Sequence, residues 1–284
     1  MKNCLLGCFL LFVLTELYAQ HPTLEGAAGK TSGKAREKTH ERRLWQDTKT
    51  SVHWMLTASY EQFREPNNAY LLAVGVPTTW YSFNTDRSFS ARAKDKKITS
   101  LESFASDSSI ALNTPALPLL LWYVGRAQKN NKLMQFAMET VAATYLALFE
   151  SSILSRVQIQ HRPNGEGLNF FETAFRGDSS WPSGHVIPYF ALTFKTLQFY
   201  GPYWALLPAA MSYLTGSQRV KDGRHWGSDI TGAFFLTAFA TEGVRRVAKH
   251  KDNHPVYKWI FEHKAQLGVF RYQDKWAPKI VWDF

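Results

Sequence analysis

The sequence predicts a mostly α-helical body behind an exported leader, and three observations carry that prediction. From Trp54 onward apolar residues recur at helical spacing, few segments alternate strictly as strands do, and the breakers Pro163-Asn164-Gly165, Gly201-Pro202 and Asp222-Gly223 fall between the apolar stretches. At 284 residues the chain is long enough for one large core, and 45% hydrophobic against 20% charged residues is the composition of a folded protein.

The first segment, residues 1–19, reads as a signal peptide. Lys2 gives a positive start, Leu5 to Leu14 a short apolar run, and Leu17-Tyr18-Ala19 a cleavage site before Gln20. A lipobox ending at Cys8 is formally present, but the apolar run follows it instead of preceding it. Both cysteines, Cys4 and Cys8, fall inside this segment, so the processed chain is expected to use no thiol as nucleophile, metal ligand or disulfide. Residues 20–52 form a polar, basic leader or linker, with Lys30, Lys34, Arg36, Lys38, Arg42 and Arg43 mixed with Glu37 and Glu41.

Helices are expected near 53–64, 68–82, 110–126, 131–158, 184–200, 203–217 and 226–248, which together make a domain over 53–250. The remainder, 251–284, is a tail with a short strand toward its aromatic end from Lys275 to Phe284. Thr196 to Gln218 and Ser108 to Gly125 carry no charge, as membrane spans would, but Pro202 and Pro208 interrupt the first and the mean hydropathy is −0.27. A periplasmic or peripherally membrane-associated body is the expectation. The net charge of +10 suits an anionic partner, a phosphoester or an acidic lipid surface, better than nucleic acid, for which no recognition motif is present.

Three short segments join phosphate-binding groups to a backbone break. In Trp181-Pro182-Ser183-Gly184-His185, Pro182 suits the first turn of a helix, and the following amides, hydroxyl and imidazole would sit at its positive end as an anion site. In the last segment His225 and Asp229 are four residues apart, so a helix would place them on one face. The carboxylate would then hold one ring nitrogen protonated and leave the other to attack. Arg219 precedes them, and the Asp222-Gly223 break lets the chain bring its guanidinium back over the same place. In the first segment Arg162 ends the helix that begins near 131, with Arg156 about two turns earlier. Arginine suits an oxyanion site because its planar fork stays charged and grips two oxygens at once. Each segment alone also reads blandly, as a helix start, a surface ion pair or snorkelling arginines.

In combination, Arg162-Pro163, then Pro182-Ser183-Gly184-His185, then Arg219 with His225 and Asp229 resemble the type 2 phosphatidic acid phosphatase family, which includes bacterial acid phosphatases and vanadate-dependent haloperoxidases. Gly223-Arg224-His225-Trp226-Gly227-Ser228-Asp229-Ile230-Thr231-Gly232 looks like the family's third motif in full, and the resemblance covers about Tyr70 to Arg246. It implies an all-α helical bundle and a metal-independent phosphatase. His225 would be the residue phosphorylated, Asp229 its orienting partner and His185 the acid for the leaving oxygen, while Arg162, Arg219, Ser183 and Gly184 cradle the phosphate oxygens. Two positions depart from the pattern: the slot of the first-motif Lys is Ser155, with Arg156 one residue later as its stand-in, and the Ser before the third-motif Arg is Gln218.

The substrate implied is a phosphorylated small molecule or lipid, with no cofactor. Three alternatives stay open: a haloperoxidase holding vanadate, a lipid-phosphate-binding protein without turnover, and a metal site of His185, His225 and Asp229. The segment from Asn164 to Ser180, with Phe170, Phe171 and Phe175, is the candidate lid.

Overall fold

In the computed structural model, residues 33–165, 177–262, 265–272 and 275–282 are described, with side chains for 43–165 and 177–262. The signal segment 1–19, the first part of the leader and Phe170, Phe171 and Phe175 of the candidate lid lie outside them. The chain divides into two units, Met1–Gln46 and Asp47–Phe284, and the second holds the core and all three motif segments.

The described residues form nine α-helices and one hairpin. The helices are α1 (Gly33–Glu61), α2 (Pro66–Lys94), α3 (Ser100–Leu112), α4 (Ala116–Ala127), α5 (Asn131–Leu154), α6 (Ile187–Tyr200), α7 (Pro202–Lys221), α8 (Gly227–Ala248) and α9 (Pro255–Phe261). No helix among the described residues is long and apolar enough to cross a membrane. The hairpin pairs β1 (Ala265–Tyr272) with β2 (Lys275–Trp282) antiparallel, Tyr272 opposite Lys275. The strand expected in the tail is β2; its partner β1 is an addition to that expectation.

The core explains how the helices come close. Ala58 of α1, Ala142, Ala143 and Ala147 of α5, and Ala233 and Ala240 of α8 are all buried with Val186, Ile187 and Val244. Small side chains let backbones approach, so α8 lies in the middle and packs on α2, α5 and α6. One ion pair is buried in this core. Lys195 Nζ donates to Glu139 Oε2 at 2.7 Å and to Gln198 Oε1 at 2.8 Å, with both charged side chains fully excluded from solvent.

Four local expectations need correction. The helix expected from 53 begins instead at Gly33, inside the leader, where Ala35, Arg36, Glu37, Lys38, Glu41 and Arg42 are all strong helix formers. The stretch 110–126 is two helices, divided where Pro115 cannot continue α3. Helix α5 stops at Leu154, well before Arg162, because the backbone beyond it takes other partners. Ser179 N donates to Ser155 O at 3.2 Å and Gly177 N to Ser155 Oγ at 3.2 Å. A Cβ on Gly177 would lie 2.1 Å from that carbonyl, so only glycine permits the approach. Finally, α6 starts at Ile187 with Pro188 in its first turn, not at Gly184 with Pro182. The Trp181–Pro182 bond is cis, and Ser183 N donates across to Asp229 O at 3.1 Å instead of opening the helix.

Candidate active site

Three stretches of chain, 155–165, 177–186 and 219–229, are laced together by backbone hydrogen bonds. Ser180 N donates to Gln160 O at 2.9 Å, Asn164 N to Gly223 O at 3.0 Å, and Ser183 N to Asp229 O at 3.1 Å. These are the three segments that carry the sequence motifs.

Arg219 lies in the last turn of α7, and the chain then reverses through Asp222-Gly223. Gly223 takes φ +68, a left-handed conformation that glycine adopts without steric cost. The reversal lets the amides of both Arg224 and His225 donate to Arg219 O, at 3.1 and 3.2 Å. The third motif is therefore a fold-back that sets Arg219 and His225 side by side.

His225 precedes α8 and is fully buried, as is Asp229 inside the helix's first turn. The two do not share a helical face, yet they meet: His225 Nδ1 stands 3.1 Å from Asp229 Oδ2. The same oxygen accepts from Trp226 N at 2.8 Å, and Oδ1 accepts from Ser180 Oγ at 3.3 Å. A carboxylate held from both sides cannot swing away. Because it only accepts, Nδ1 must carry the proton, which puts the lone pair of the neutral ring on Nε2.

His185 is half-buried in the turn before α6, and its ring faces that of His225 at 6.4 Å between centroids, tilted by 55°. Ser109 Oγ of α3 donates to His185 O and fixes the turn. Just before His185, Ser183 is fully buried, and its Oγ meets no hydrogen-bond partner among the described residues. Gly184 follows it, half-buried. Arg162 is buried to 8% exposure on the irregular stretch after α5, and its Nη1 donates to Arg224 O at 3.2 Å, one residue before His225. Arg156 is exposed, whereas Ser155, in the slot of the first-motif Lys, is buried. Among the described residues no three His, Cys, Asp or Glu side chains are grouped to hold a metal ion.

No protein-family model, curated protein or solved structure matches the chain.

Two supporting groups carry no motif of the site. Asp86 of α2 is buried and accepts from Ser228 N at 2.9 Å, from Ser228 Oγ and from Gln160 Nε2 at 3.1 Å, so one carboxylate ties α8 to the extended run before Arg162. Glu102 of α3 accepts from Ser217 Oγ and Lys221 Nζ, both at 2.6 Å, and so holds the α7 turns on either side of Arg219. Burial alone would raise the Glu102 carboxyl, but the hydrogen bonds from Lys221, Ser217 and Thr99 outweigh it and bring its pKa down to about 2. Thr99 and Glu102 form a capping box at the start of α3, which the Thr-x-x-Glu spacing could have announced. Nothing local marks Asp86.

Proposed function

We propose that the chain is a metal-independent phosphatase of the type 2 phosphatidic acid phosphatase kind, acting on a phosphomonoester or lipid-linked phosphate. The observation that carries the reading is the pair of imidazoles 6.4 Å apart, one of them oriented by a buried carboxylate.

In this reading His225 Nε2 attacks phosphorus, forming a P–N bond as the P–O bond to the leaving group breaks. His185, protonated, gives its proton to that leaving oxygen. Water then attacks the phosphohistidine, the now neutral His185 takes the water's proton, and the P–N bond breaks to release phosphate and the His225 ring. Asp229 stabilises the charge that develops on the His225 imidazole. Arg162, Arg219, the Ser183 hydroxyl and the Gly184 amide neutralise the nonbridging oxygens, where charge is held at the transition state. Ser183 Oγ, buried and awaiting an acceptor or donor, supports that assignment.

Turnover of p-nitrophenyl phosphate in the presence of EDTA tests the proposal. Hydrolysis that His225→Ala abolishes is expected. A native chain without hydrolysis would leave the binding-protein alternative, and bromide oxidation after addition of vanadate and peroxide would favour the haloperoxidase.

A further inference from the structure

A helix on the surface of a protein folded in water turns its large apolar side chains inward and its polar ones outward. Two helices of this chain do the reverse. The buried residues of α2 are Asn68, Gly75, Thr79, Asp86 and Ser90. Those of α7 are Ala205, Pro208, Ser212, Thr215, Gly216 and Val220, so in neither helix is a buried residue Leu, Ile, Met or aromatic. The large side chains point out instead: Trp80 and Tyr81 of α2 and Tyr203, Leu206 and Tyr213 of α7 are 65–76% exposed. Neither helix carries a charge along this stretch, from Pro66 to Thr85 in α2 and from Pro202 to Gln218 in α7.

The two helices are neighbours. They pack on each other and, with α6 and α8, wall one groove of about 500 Å³, lined by Thr85 and Phe89 from α2 and by Ser212 and Tyr213 from α7. Single exposed apolar residues are ordinary on any surface, but a patch continued over two helices marks contact with something apolar. The end of this face says what that is. After Thr85 the chain turns basic, and Arg87, Arg92, Lys94, Lys96 and Lys97 are all exposed, with Asp95 the single exposed acid among them. Lys221, two residues beyond Arg219, donates from Nζ to Lys97 O at 3.4 Å. The basic end of α2 therefore stands beside the end of α7 that carries Arg219.

We propose that the face made by α2 and α7 docks on an anionic lipid surface, its exposed aromatic and aliphatic side chains toward the acyl region and the basic residues from Arg87 to Lys97 on the lipid phosphates. A bilayer presents those two layers in that order, an anionic one over an apolar one, and Trp and Tyr settle at the boundary because each ring is apolar with one polar handle. A second copy presenting the same face would supply the apolar layer but no anionic one. Docking in this way sets the Arg219 end of α7 level with the lipid headgroups. That it brings lipid-linked phosphates to the site rests on the phosphatase reading; the docking itself does not.

Co-sedimentation of the full chain with vesicles of phosphatidylcholine, with and without phosphatidylglycerol, tests the docking. Binding to the phosphatidylglycerol vesicles should be at least about tenfold tighter and should weaken in high salt. The double variant Trp80→Glu, Leu206→Glu should weaken binding to both kinds of vesicle by about tenfold or more. The triple variant Lys94→Glu, Lys96→Glu, Lys97→Glu should remove only the preference for phosphatidylglycerol. Both variants keep residues 1–52 and change exposed side chains alone, so their melting temperatures and their hydrolysis of p-nitrophenyl phosphate, which needs no bilayer, should match the native chain. Absence of native binding, or binding that neither variant weakens, would overturn the proposal. So would a native dimer in light scattering that the double variant turns into a monomer, because the face would then belong to a second copy. Failure of the phosphatase reading would show separately, as vesicle binding without p-nitrophenyl phosphate turnover.

Discussion

Alanine at His185 should distinguish the two imidazoles. If this ring is the acid, its loss matters most where the leaving oxygen is poor. We expect kcat/KM, which reports the step that expels the leaving group, to fall by about 10²–10⁴-fold for phenyl phosphate and by far less for p-nitrophenyl phosphate; equal losses on both would contradict the assignment. Asp86 makes a different prediction, because it touches Ser228 and Gln160 and would act only by holding the site in place. Asp86→Ala should lower kcat several-fold with little change in KM and lower the melting temperature, whereas His225→Ala should remove activity altogether. The contrast explains what is legible at this scale. His225, Asp229 and His185 stand in short motifs that single them out as candidates, while Asp86 works across 142 residues of sequence and no local pattern encodes such a contact.

At the scale of elements, periodicity finds the helical stretches and misses their ends where tertiary partners decide them. The start of α8 is legible within one residue because Gly227 and Asp229 form a local helix beginning. The end of α5 is not, because Gly177 and Ser179, more than twenty residues away, claim Ser155. Two carboxylates that join elements give opposite pH signatures. Glu102 is held near 2 in the folded state, below its ordinary value of 4.5, so the stability it gives is present above that value and fades as pH falls through about 2. Glu150 of α5, which accepts from Gln62 Nε2, is raised by burial to about 7, so its contribution is intact below 4.5 and is lost as pH rises through about 7. Melting temperatures of the native chain should therefore fall more steeply between about pH 5 and 8 than those of Glu150→Gln; parallel profiles would contradict the raised value.

Across the whole molecule, a buried ion pair sits in a core of alanine and valine. Burial drives the Lys195 pKa down and the Glu139 carboxylate opposes it. Lys195→Met would strand the Glu139 charge and should cost about 3–5 kcal/mol in denaturant unfolding, most of which the double variant with Glu139→Leu should recover. Such a pair is invisible in the sequence, where Glu139 and Lys195 read only as interruptions in apolar helices. The same core holds the three motif stretches within hydrogen-bonding reach, and the site's chemistry depends on that convergence. Its most direct test is to quench turnover of a phosphorus-32-labelled phosphomonoester in alkali and map the label by mass spectrometry. An acid-labile, alkali-stable phosphoryl group is expected on His225, absent in His225→Ala. Label on another residue, or full turnover by His225→Ala, would contradict it.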